Sequence, residues 1–453
     1  MWLLLTACAD PAHTDNVEPQ GPVIVIGAGV AGLACASMLD DAILFEADPQ
    51  VGGRALWSGG AMHFVGVPGQ EGPDGDVAQA AADWETITGE PADEAALRYL
   101  EASAGIHARL AALDVRWTTL EREPRTGRRR VLMLEDGGPG LVAGLESALG
   151  TGVDLRLDTR VDGLLRDGDR VLGVRVGDEE VPGRAVVIAS GGYAGDVAAL
   201  EGVAHTDAWE PTSQGGAGDA LAWARASHVS TARLDSVGWY LRRMPIPDGA
   251  GGLVKVRADG VTPWIGVDRD GARFCDESQT WSVTTAGPWR TAPGARAIAP
   301  HDALRAAIPS EQVALFDDAV REDVRVRCRA DARTLATHEG IDPSGLESTL
   351  AAIRPSGDPD ALDAVGRRLG THPAWTGALC AYSPGEIAAK TFGGLSVDAR
   401  GRVRDEGTGD PLRNLYAIGE AAGMASPGMG GRWGFDGSLS AVTWSGWSAC
   451  EAL

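Results

Sequence analysis

The chain has few residues of the kinds that build metal sites or membrane spans. Its six cysteines include no C-x-x-C pair, and its eight histidines show no H-E-x-x-H spacing, so we predict no metal site. No apolar run reaches the roughly 20 residues that a transmembrane helix needs, so no transmembrane segment is predicted. Basic residues are also scarce, 40 against 63 acidic ones, and this balance argues against a nucleic-acid partner.

The first residues, MWLLLTAC, end in a pattern typical of a bacterial lipoprotein signal. Leu5, Thr6 and Ala7 place an apolar residue and small residues before Cys8, and residues 1–20 as a whole read as a signal followed by a polar tether. The basic start of a signal peptide is missing. Two interpretations stay open: a lipid anchor at Cys8 with a periplasmic or membrane-anchored location, or an unstructured cytoplasmic N-terminus.

A strand–turn–helix pattern near the start of the chain predicts a dinucleotide-binding unit. Residues 23–26 form a β-branched apolar run typical of a buried parallel strand. Gly27, Gly29 and Gly32 follow in G-x-G-x-x-G spacing, which suits a tight turn, close approach to a pyrophosphate and helix–sheet packing, respectively. The next apolar run ends at Glu46, where a βαβ unit places the acceptor for ribose hydroxyls. This acid favours FAD or NAD over NADP.

The residues after Glu46 resemble the FAD-binding segment of one group of flavoproteins. Gly52 and Gly53 follow the acidic residue as they do in flavoproteins with two dinucleotide-binding domains, and residues 57–62, WSGGAM, resemble the S-G-G-x-M flavin loop of one branch. That branch contains the fumarate reductase and succinate dehydrogenase flavoproteins and the 3-ketosteroid dehydrogenases. The resemblance implies FAD as the cofactor, held noncovalently.

Later blocks of the chain resemble the same family in the same order. They are VVIASGGY at 186–193, GGAGDAL at 215–221, LYAIGEAAG at 415–423 and DGSLS at 436–440. The resemblance implies an α/β fold, with a Rossmann-like FAD-binding domain of parallel sheet plus β-meander and an inserted α+β cap domain. It assigns residues 21–235 and 381–453 to the two parts of the FAD-binding domain. Residues 236–380 between them are assigned to the cap, or substrate domain.

The resemblance also implies which residues contact FAD. Glu420 would accept a hydrogen bond from a ribitol hydroxyl, and the backbone of Val161 would contact adenine. Ser438 and Leu439 would open a helix whose N-terminus stabilises the negative charge of reduced flavin. The predicted FAD-binding residues are Gly27, Gly29, Gly32, Glu46, Ala47, Gly52, Gly53, Ser58, Gly59, Gly60, Val161, Ala189, Gly191, Asp219, Gly419, Glu420, Ser438 and Leu439.

The catalytic residues of fumarate reductases are matched only in part. The proton-donating arginine of that family falls at Trp281 or Ser282, neither of which can serve. Its histidine pair falls at Ala389 and Lys390. Arg432 lies near the family's carboxylate-binding arginine and is the one cation that the resemblance retains. Fumarate and succinate are therefore disfavoured, and a larger or more apolar substrate is predicted under the tryptophan-rich cap.

Two tyrosines in or beside the cap are candidates for proton transfer. Ketosteroid dehydrogenases place tyrosines over the flavin, and the tyrosines of this region are Tyr240 and Tyr382. A tyrosine can act as a base or an acid, although ordinary packing of an amphipathic side chain is the other interpretation for each. The predicted catalytic residues are thus Tyr240, Tyr382 and Arg432.

Taken together, these features predict an FAD-dependent oxidoreductase acting on CH–CH groups. Hydride would pass between the flavin and a carbonyl-activated C–C or C=C bond of a small-molecule substrate, of ketosteroid or enoate type. No second complete G-x-G-x-x-G is present, so an external electron carrier, such as a quinone or a cytochrome, is expected. Two alternatives stay open: a flavin-dependent amine oxidase, and an FAD-binding protein without catalysis that serves in redox relay or binding.

Overall fold

The computed structural model describes most of the chain, with several gaps. The described residues are 20–123, 126–204, 208–212, 215–256, 263–277, 289, 291–292, 294–353, 361–423, 438–451 and 453. Cys8, Trp281, Ser282 and Arg432 lie outside them. Among the helices within these ranges, none combines the length and the apolar character that crossing a membrane requires. In the same ranges, no three His, Cys, Asp or Glu side chains group closely enough to hold a metal ion.

The α-helices of the described residues vary from one turn to five turns. They are α1 (Val30–Ala36), α2 (Val77–Thr88), α3 (Glu94–Ala112), α4 (Gly137–Ser147), α5 (Val197–Leu200), α6 (Asp219–Ser227), α7 (His301–Ala306), α8 (Val313–Glu322), α9 (Ala332–Glu339), α10 (Pro343–Ala352) and α11 (Leu439–Cys450). Several begin where an aspartate caps the first free amides, as Asp93 does for α3 by accepting from the Ala96 amide at 2.9 Å.

The strands are mostly short. They are β1 (Val23–Ile26), β2 (Ala42–Phe45), β3 (Ala61–His63), β4 (Trp117–Arg122), β5 (Arg129–Leu134), β6 (Val153–Arg156), β7 (Gly163–Asp167), β8 (Arg170–Val176), β9 (Glu179–Pro182), β10 (Ala185–Ile188), β11 (Trp209–Glu210), β12 (Thr231–Ala232), β13 (Val237–Pro247), β14 (Leu253–Lys255), β15 (Ile265–Val267), β16 (Arg296–Pro300), β17 (Arg327–Arg329), β18 (Leu379–Tyr382), β19 (Gly385–Thr391), β20 (Gly394–Leu395), β21 (Arg402–Arg404) and β22 (Pro411–Ala417).

The largest sheet carries the predicted dinucleotide-binding unit. Its order is β6-β2-β1-β10-β22-β8-β7, with β21 added on β22 and β9 added on β8. Strands β6, β2, β1, β10 and β22 pair in parallel, whereas β7, β8 and β9 form an antiparallel meander. Alternate residues of β1 pack into two different hydrophobic clusters, so both faces of the parallel strands are covered. This architecture confirms the predicted α/β class.

Helix α1 lies against the C-terminal helix α11. A Cβ at Gly446 of α11 would come within 2.3 Å of the Ala31 carbonyl oxygen of α1, so this close approach requires glycine. A disulfide joins Cys35 of α1 to Cys450 of α11, 415 residues later. No cysteine spacing in the sequence indicates this pair, because folding alone brings the two helices together.

Two further sheets contain the strands of the predicted cap region. The first has the order β11-β19-β13-β14 and the second β15-β16-β18-β17. In the second sheet a disulfide links Cys328 of β17 to Cys380 of β18. The predicted boundary at residue 380 falls inside β18, and β19 pairs with β13 of the cap segment. The domain boundaries stay a prediction. Smaller sheets are β3-β5-β4 and β12-β20.

We expect the Cys35–Cys450 disulfide to stabilise the fold, because it closes a very long loop between two packed helices. Replacing both cysteines by alanine should lower the free energy of unfolding by about 2–4 kcal/mol, measured by urea denaturation without reductant. Cys275→Ala is the matched control, since Cys275 is a buried free thiol and loses packing only. An equal loss in the double variant and in the control would contradict this role.

Candidate functional site

The glycine-rich turn between β1 and α1 forms one wall of a cavity of about 690 Å³. Gly27 has a φ of +101°, and a Cβ there would lie 2.6 Å from the Ala189 carbonyl oxygen. A Cβ at Gly32 would lie 1.8 Å from the Gly27 carbonyl oxygen. Gly29, in contrast, has no protein atom within 4 Å of the Cβ position, because it faces the cavity. The three glycines thus have the geometry that their spacing predicts.

The acidic residue at the end of β2 marks one end of the cavity. The carboxylate of Glu46 accepts hydrogen bonds from the amides of Ala28, at 2.8 Å, and Asp48, at 3.0 Å. These bonds hold the carboxylate at the rim of the turn, next to Ala47. Arg160 and Asp219 form an ion pair in the same part of the wall. In a dinucleotide-binding unit this is the end for the adenosine and the pyrophosphate.

The other end of the cavity is formed by the flavin loop and by elements from late in the chain. Ser58 and Gly59 of that loop line it, together with Glu420 and the first residues of α11, Ser438 and Leu439. A Cβ at Gly59 would meet no atom within 4 Å, so this part of the loop also faces open space. The Glu420 carboxylate accepts a hydrogen bond from the Thr391 amide at 3.0 Å, which fixes its orientation.

An arginine that directly follows the glycine pair bridges the two sides of the cavity. Arg54 donates to the carbonyl oxygen of Ala389 on β19, and its Nη1 lies 3.7 Å from a Glu420 carboxylate oxygen. Arg54 Nε and Ser190 Oγ are buried in the cavity wall without a hydrogen-bond partner among the described residues. Such groups, beside a cradle of side-chain-free glycines, fit a polyphosphate-linked cofactor such as FAD.

Most of the predicted FAD-binding residues meet in this cavity. The structure places in its wall Gly27, Gly29, Glu46, Ala47, Gly52, Gly53, Ser58, Gly59, Val161, Ala189, Gly191, Asp219, Glu420, Ser438 and Leu439. Gly32, Gly60 and Gly419 lie behind the wall. A Cβ at Gly60 would lie 2.7 Å from the Leu134 side chain, and one at Gly419 would lie 2.8 Å from the Ala31 Cβ. These three positions serve close packing.

The two predicted catalytic tyrosines occupy different environments. Tyr240 of β13 is half-buried and lines the cavity. Tyr382 of β18 is 2% exposed, lies outside the cavity wall and packs in the hydrophobic cluster around Trp239. Burial raises the pKa of the Tyr382 hydroxyl well above its usual value, which disfavours proton release. The structure brings Tyr240 to the site and leaves Tyr382 in a packing position, while Arg432 lies outside the described residues.

Several cavity residues were not predicted as site residues. Trp57 lies at the rim and is 68% exposed, and Lys390, Trp223 and Met133 also contribute to the wall. Trp57 directly precedes the flavin loop residue Ser58, so its position in the sequence could have indicated it. No comparable local signal exists for Trp223 or Met133, because they come from elements far along the chain.

Arg273 and Glu277, in the segment predicted as the cap, belong to a buried ionic cluster. Glu277 accepts hydrogen bonds from the Gly266 amide at 2.7 Å and from Arg367 Nη1 at 3.3 Å, and it pairs with Arg273. Arg273 also pairs with Asp363. Burial alone would raise the pKa of Asp363, but Arg273 and a hydrogen-bonded histidine hold it well below its usual value. These residues therefore tie together distant parts of the chain and are not among the residues that line the cavity.

Comparisons with known proteins agree with this geometry. Residues 22–432 match the family model of the FAD binding domain. An NADH:fumarate oxidoreductase from Klebsiella pneumoniae (strain 342) is 24% identical over 92% of this chain, which spans 46% of that relative. The chain thus covers about half the length of this curated relative.

Solved structures share the fold at low sequence identity. A 3-ketosteroid-Δ4-(5α)-dehydrogenase from Rhodococcus jostii RHA1 matches with a TM-score of 0.70 and 18% identity, covering 97% of this chain and 98% of its own. A 3-ketosteroid Δ1-dehydrogenase from Sterolibacterium denitrificans matches with a TM-score of 0.68 and 18% identity, covering 95% and 98%. A flavocytochrome c3 fumarate reductase matches with a TM-score of 0.62 and 21% identity, covering 95% and 77%.

The match to the family model extends over nearly the whole chain, and the cavity has the glycine turn, the acidic strand end and the flavin loop that FAD requires. The chain therefore belongs to the FAD binding domain family, whose members are FAD-dependent oxidoreductases, and its cofactor is FAD.

Proposed function

We propose that this protein is an oxidoreductase that uses FAD to transfer hydride to or from a carbon of a carbonyl-activated C–C or C=C bond. The observation that carries the proposal is the position of Tyr240 in the cavity wall, where it packs in one cluster with Val442 of α11. Because the Gly29–Glu46 end suits the adenosine diphosphate half, the flavin belongs at the other end. Bound FAD supplies the hydride acceptor or donor at flavin N5.

Tyr240 is the group that we propose for proton transfer. It lies on β13 opposite Ile387 of β19, and its ring packs beside Ala389 and Phe392. Breaking a C–H bond next to a carbonyl leaves a proton that a positioned base must take, and the reverse reaction needs an acid at the same place. A phenol that is half-buried in the cavity wall satisfies either requirement, because it is shielded from bulk water and still reaches the cavity.

The substrate class is supported by the relatives. Their names specify fumarate or 3-ketosteroids, which share a carbon–carbon bond activated by a neighbouring carbonyl group. Fumarate itself is disfavoured here, because Trp281 or Ser282 replaces the proton-donating arginine and Ala389 and Lys390 replace the histidine pair. We therefore propose a ketone or enoate larger than fumarate. We propose that a separate electron carrier, such as a quinone or a cytochrome, exchanges electrons with the flavin.

We also propose that the chain matures in an oxidising compartment outside the cytoplasm. Two disulfides, Cys35–Cys450 and Cys328–Cys380, support this, because disulfides persist in the periplasm and outside the cell and are reduced in the cytosol. Cell fractionation of the native host should find the protein outside the cytosolic fraction with these four cysteines resistant to alkylation. Cytosolic protein with all four thiols alkylated would contradict the proposal.

FAD should bind noncovalently and should depend on Gly29. His63, which follows the flavin loop, is 1% exposed and lies outside the cavity wall, so acid precipitation should release FAD into the supernatant. Gly29→Val should abolish FAD binding, because the valine side chain would enter the cavity. The φ of −71° at Gly29 can be adopted by any residue, so the substitution should not strain the backbone. Absorbance at the flavin bands measures occupancy.

Gly105→Val on α3 is the matched control for Gly29→Val. Gly105 is exposed, and a Cβ there would meet no atom within 4 Å, so this variant should keep its FAD. Circular dichroism should show that both variants are folded. Full FAD occupancy in folded Gly29→Val protein would show that the cofactor does not lie along the glycine turn.

Tyr240→Phe should retain FAD and lower turnover about 10²- to 10⁴-fold, the usual range for a general acid–base group. Tyr382→Phe removes the same hydroxyl from the core and should change turnover far less. Turnover is measured with a panel of 3-ketosteroids, enoates, fumarate and amines, after an anaerobic screen in both directions. A saturated 3-ketosteroid or an amine would bleach oxidised flavin by giving up hydride, whereas an enoate or fumarate would restore the colour of reduced flavin by accepting it. Equal losses in the two variants would contradict the role of Tyr240. If no member reduces the oxidised flavin or reoxidises the reduced flavin, the redox-relay alternative is favoured, and reduction by an amine alone would favour the amine oxidase.

A further inference from the structure

One charged side chain at the flavin end of the cavity has no role in the function proposed above. Lys390 lies on β19 and lines the cavity. Its ammonium nitrogen is 3.5 Å from Ser438 Oγ and 5.7 Å from the centroid of the Phe392 ring. The ammonium therefore lies over an aromatic face and beside the start of α11.

The ammonium of Lys390 lies beside the N-terminus of helix α11. The N-terminus of a helix carries a partial positive charge, so acids are stabilising there and bases are not. The first turn of α11 contains no acidic residue, and Ser438 makes no side-chain capping bond. The Glu420 carboxylate in the same part of the wall is paired with Arg54 at 3.7 Å. Lys390 and the helix N-terminus therefore add positive potential there, which suits a ligand that carries negative charge.

The residue type is also unusual for this chain. Lys255 and Lys390 are its two lysines among 40 basic residues, so arginine fills nearly every other basic position. An ammonium is a compact point charge, whereas a guanidinium is a broad planar fork with fixed donor directions. A compact charge fits beside a planar ring without taking the space that the ring requires.

We propose that Lys390 stabilises the negative charge that two-electron reduction places on the bound flavin, and that it thereby raises the reduction potential of the FAD. The flavin is the ligand that must occupy this end, since the glycine turn and Glu46 suit the adenosine diphosphate half at the other. The proposal rests on FAD binding, which the family match supports, and not on the identity of the substrate. The lysine acts on electron affinity, and proton transfer is left to Tyr240.

The test compares the flavin of the intact protein with that of Lys390→Met, which removes the charge and keeps a long flexible side chain. Two properties are measured without any substrate: the reduction potential, by equilibration with a reference dye, and the affinity for sulfite, which adds to oxidised flavin N5 through its lone pair and leaves negative charge on the ring. Lys390→Met should bind sulfite at least tenfold more weakly. Its two-electron equilibrium constant should fall at least tenfold, which is about 30 mV.

Two control variants separate a local effect from a general one. Lys390→Arg keeps a positive charge in a broader group, so it should retain more sulfite affinity than Lys390→Met. Lys255→Met removes the other lysine, which is exposed on β14, and should leave both properties unchanged because the charge is screened by solvent. FAD occupancy is measured in each variant, so that a loss of cofactor is not mistaken for a shift in potential.

An unchanged potential and unchanged sulfite affinity in FAD-loaded Lys390→Met would overturn the proposal. If only the KM for a substrate then rose, Lys390 would hold the substrate and not the reduced flavin. Equal shifts in Lys390→Met and Lys255→Met would also overturn it, because the effect would then come from net charge. Each of these results leaves the proposed role of Tyr240 unaffected, so failure of one proposal is distinguishable from failure of the other.

Discussion

The position of helix α1 depends on direct contacts between its backbone and neighbouring backbone, which glycines make possible. A side chain at Gly32 would strike the Gly27 carbonyl oxygen at 1.8 Å, and one at Gly446 would strike the Ala31 carbonyl oxygen at 2.3 Å. Gly419 packs against the same helix from the end of β22. One short helix therefore fixes the positions of three elements: the turn that suits a pyrophosphate, the Glu420 segment and helix α11. Both ends of the FAD cavity depend on this packing.

Buried ion pairs, and not close backbone packing, connect parts of the segment that the sequence predicts as the cap. Arg273, Glu277, Asp363 and Arg367 are buried together, although burying charges costs free energy unless every partner is in place. Removing one member of such a group is far more damaging than replacing the group with apolar residues would be. The cluster ties the residues that follow β15 to segments more than 80 residues later in the chain.

The division of the cavity into two ends also separates its chemistry. The end with Glu46 and the glycine turn offers amides and a carboxylate, which suit ribose and phosphate groups. The end with Tyr240 and Lys390 offers a phenol and an ammonium on neighbouring strands, β13 and β19. The glycine turn and Glu46 lie near the start of the chain, while Tyr240 and Lys390, which we propose for chemistry, come from strands much later in the chain. The same cofactor site can therefore serve different reactions when the later strands change.

Local pattern was sufficient to predict the dinucleotide-binding unit. The glycine spacing, the apolar strand and Glu46 lie within 30 residues of one another, and each has a requirement that follows from backbone geometry alone. What the sequence could not separate was Tyr240 from Tyr382. Both follow apolar residues, and only the pairing of β13 with β19 and of β18 with β16 decides which ring reaches the cavity and which enters the core.

Contacts between distant residues were decided by the tertiary structure alone. Cys35 and Cys450 have no spacing that indicates a bond, and Lys390 meets Ser438 only because β19 ends beside the start of α11. The sequence by itself determined the cofactor class, because binding a dinucleotide demands particular residues at fixed short separations. The placement of the proton-transfer and charge-stabilising groups depends on strand pairing and helix packing, which bring together residues that have no local relation in the chain.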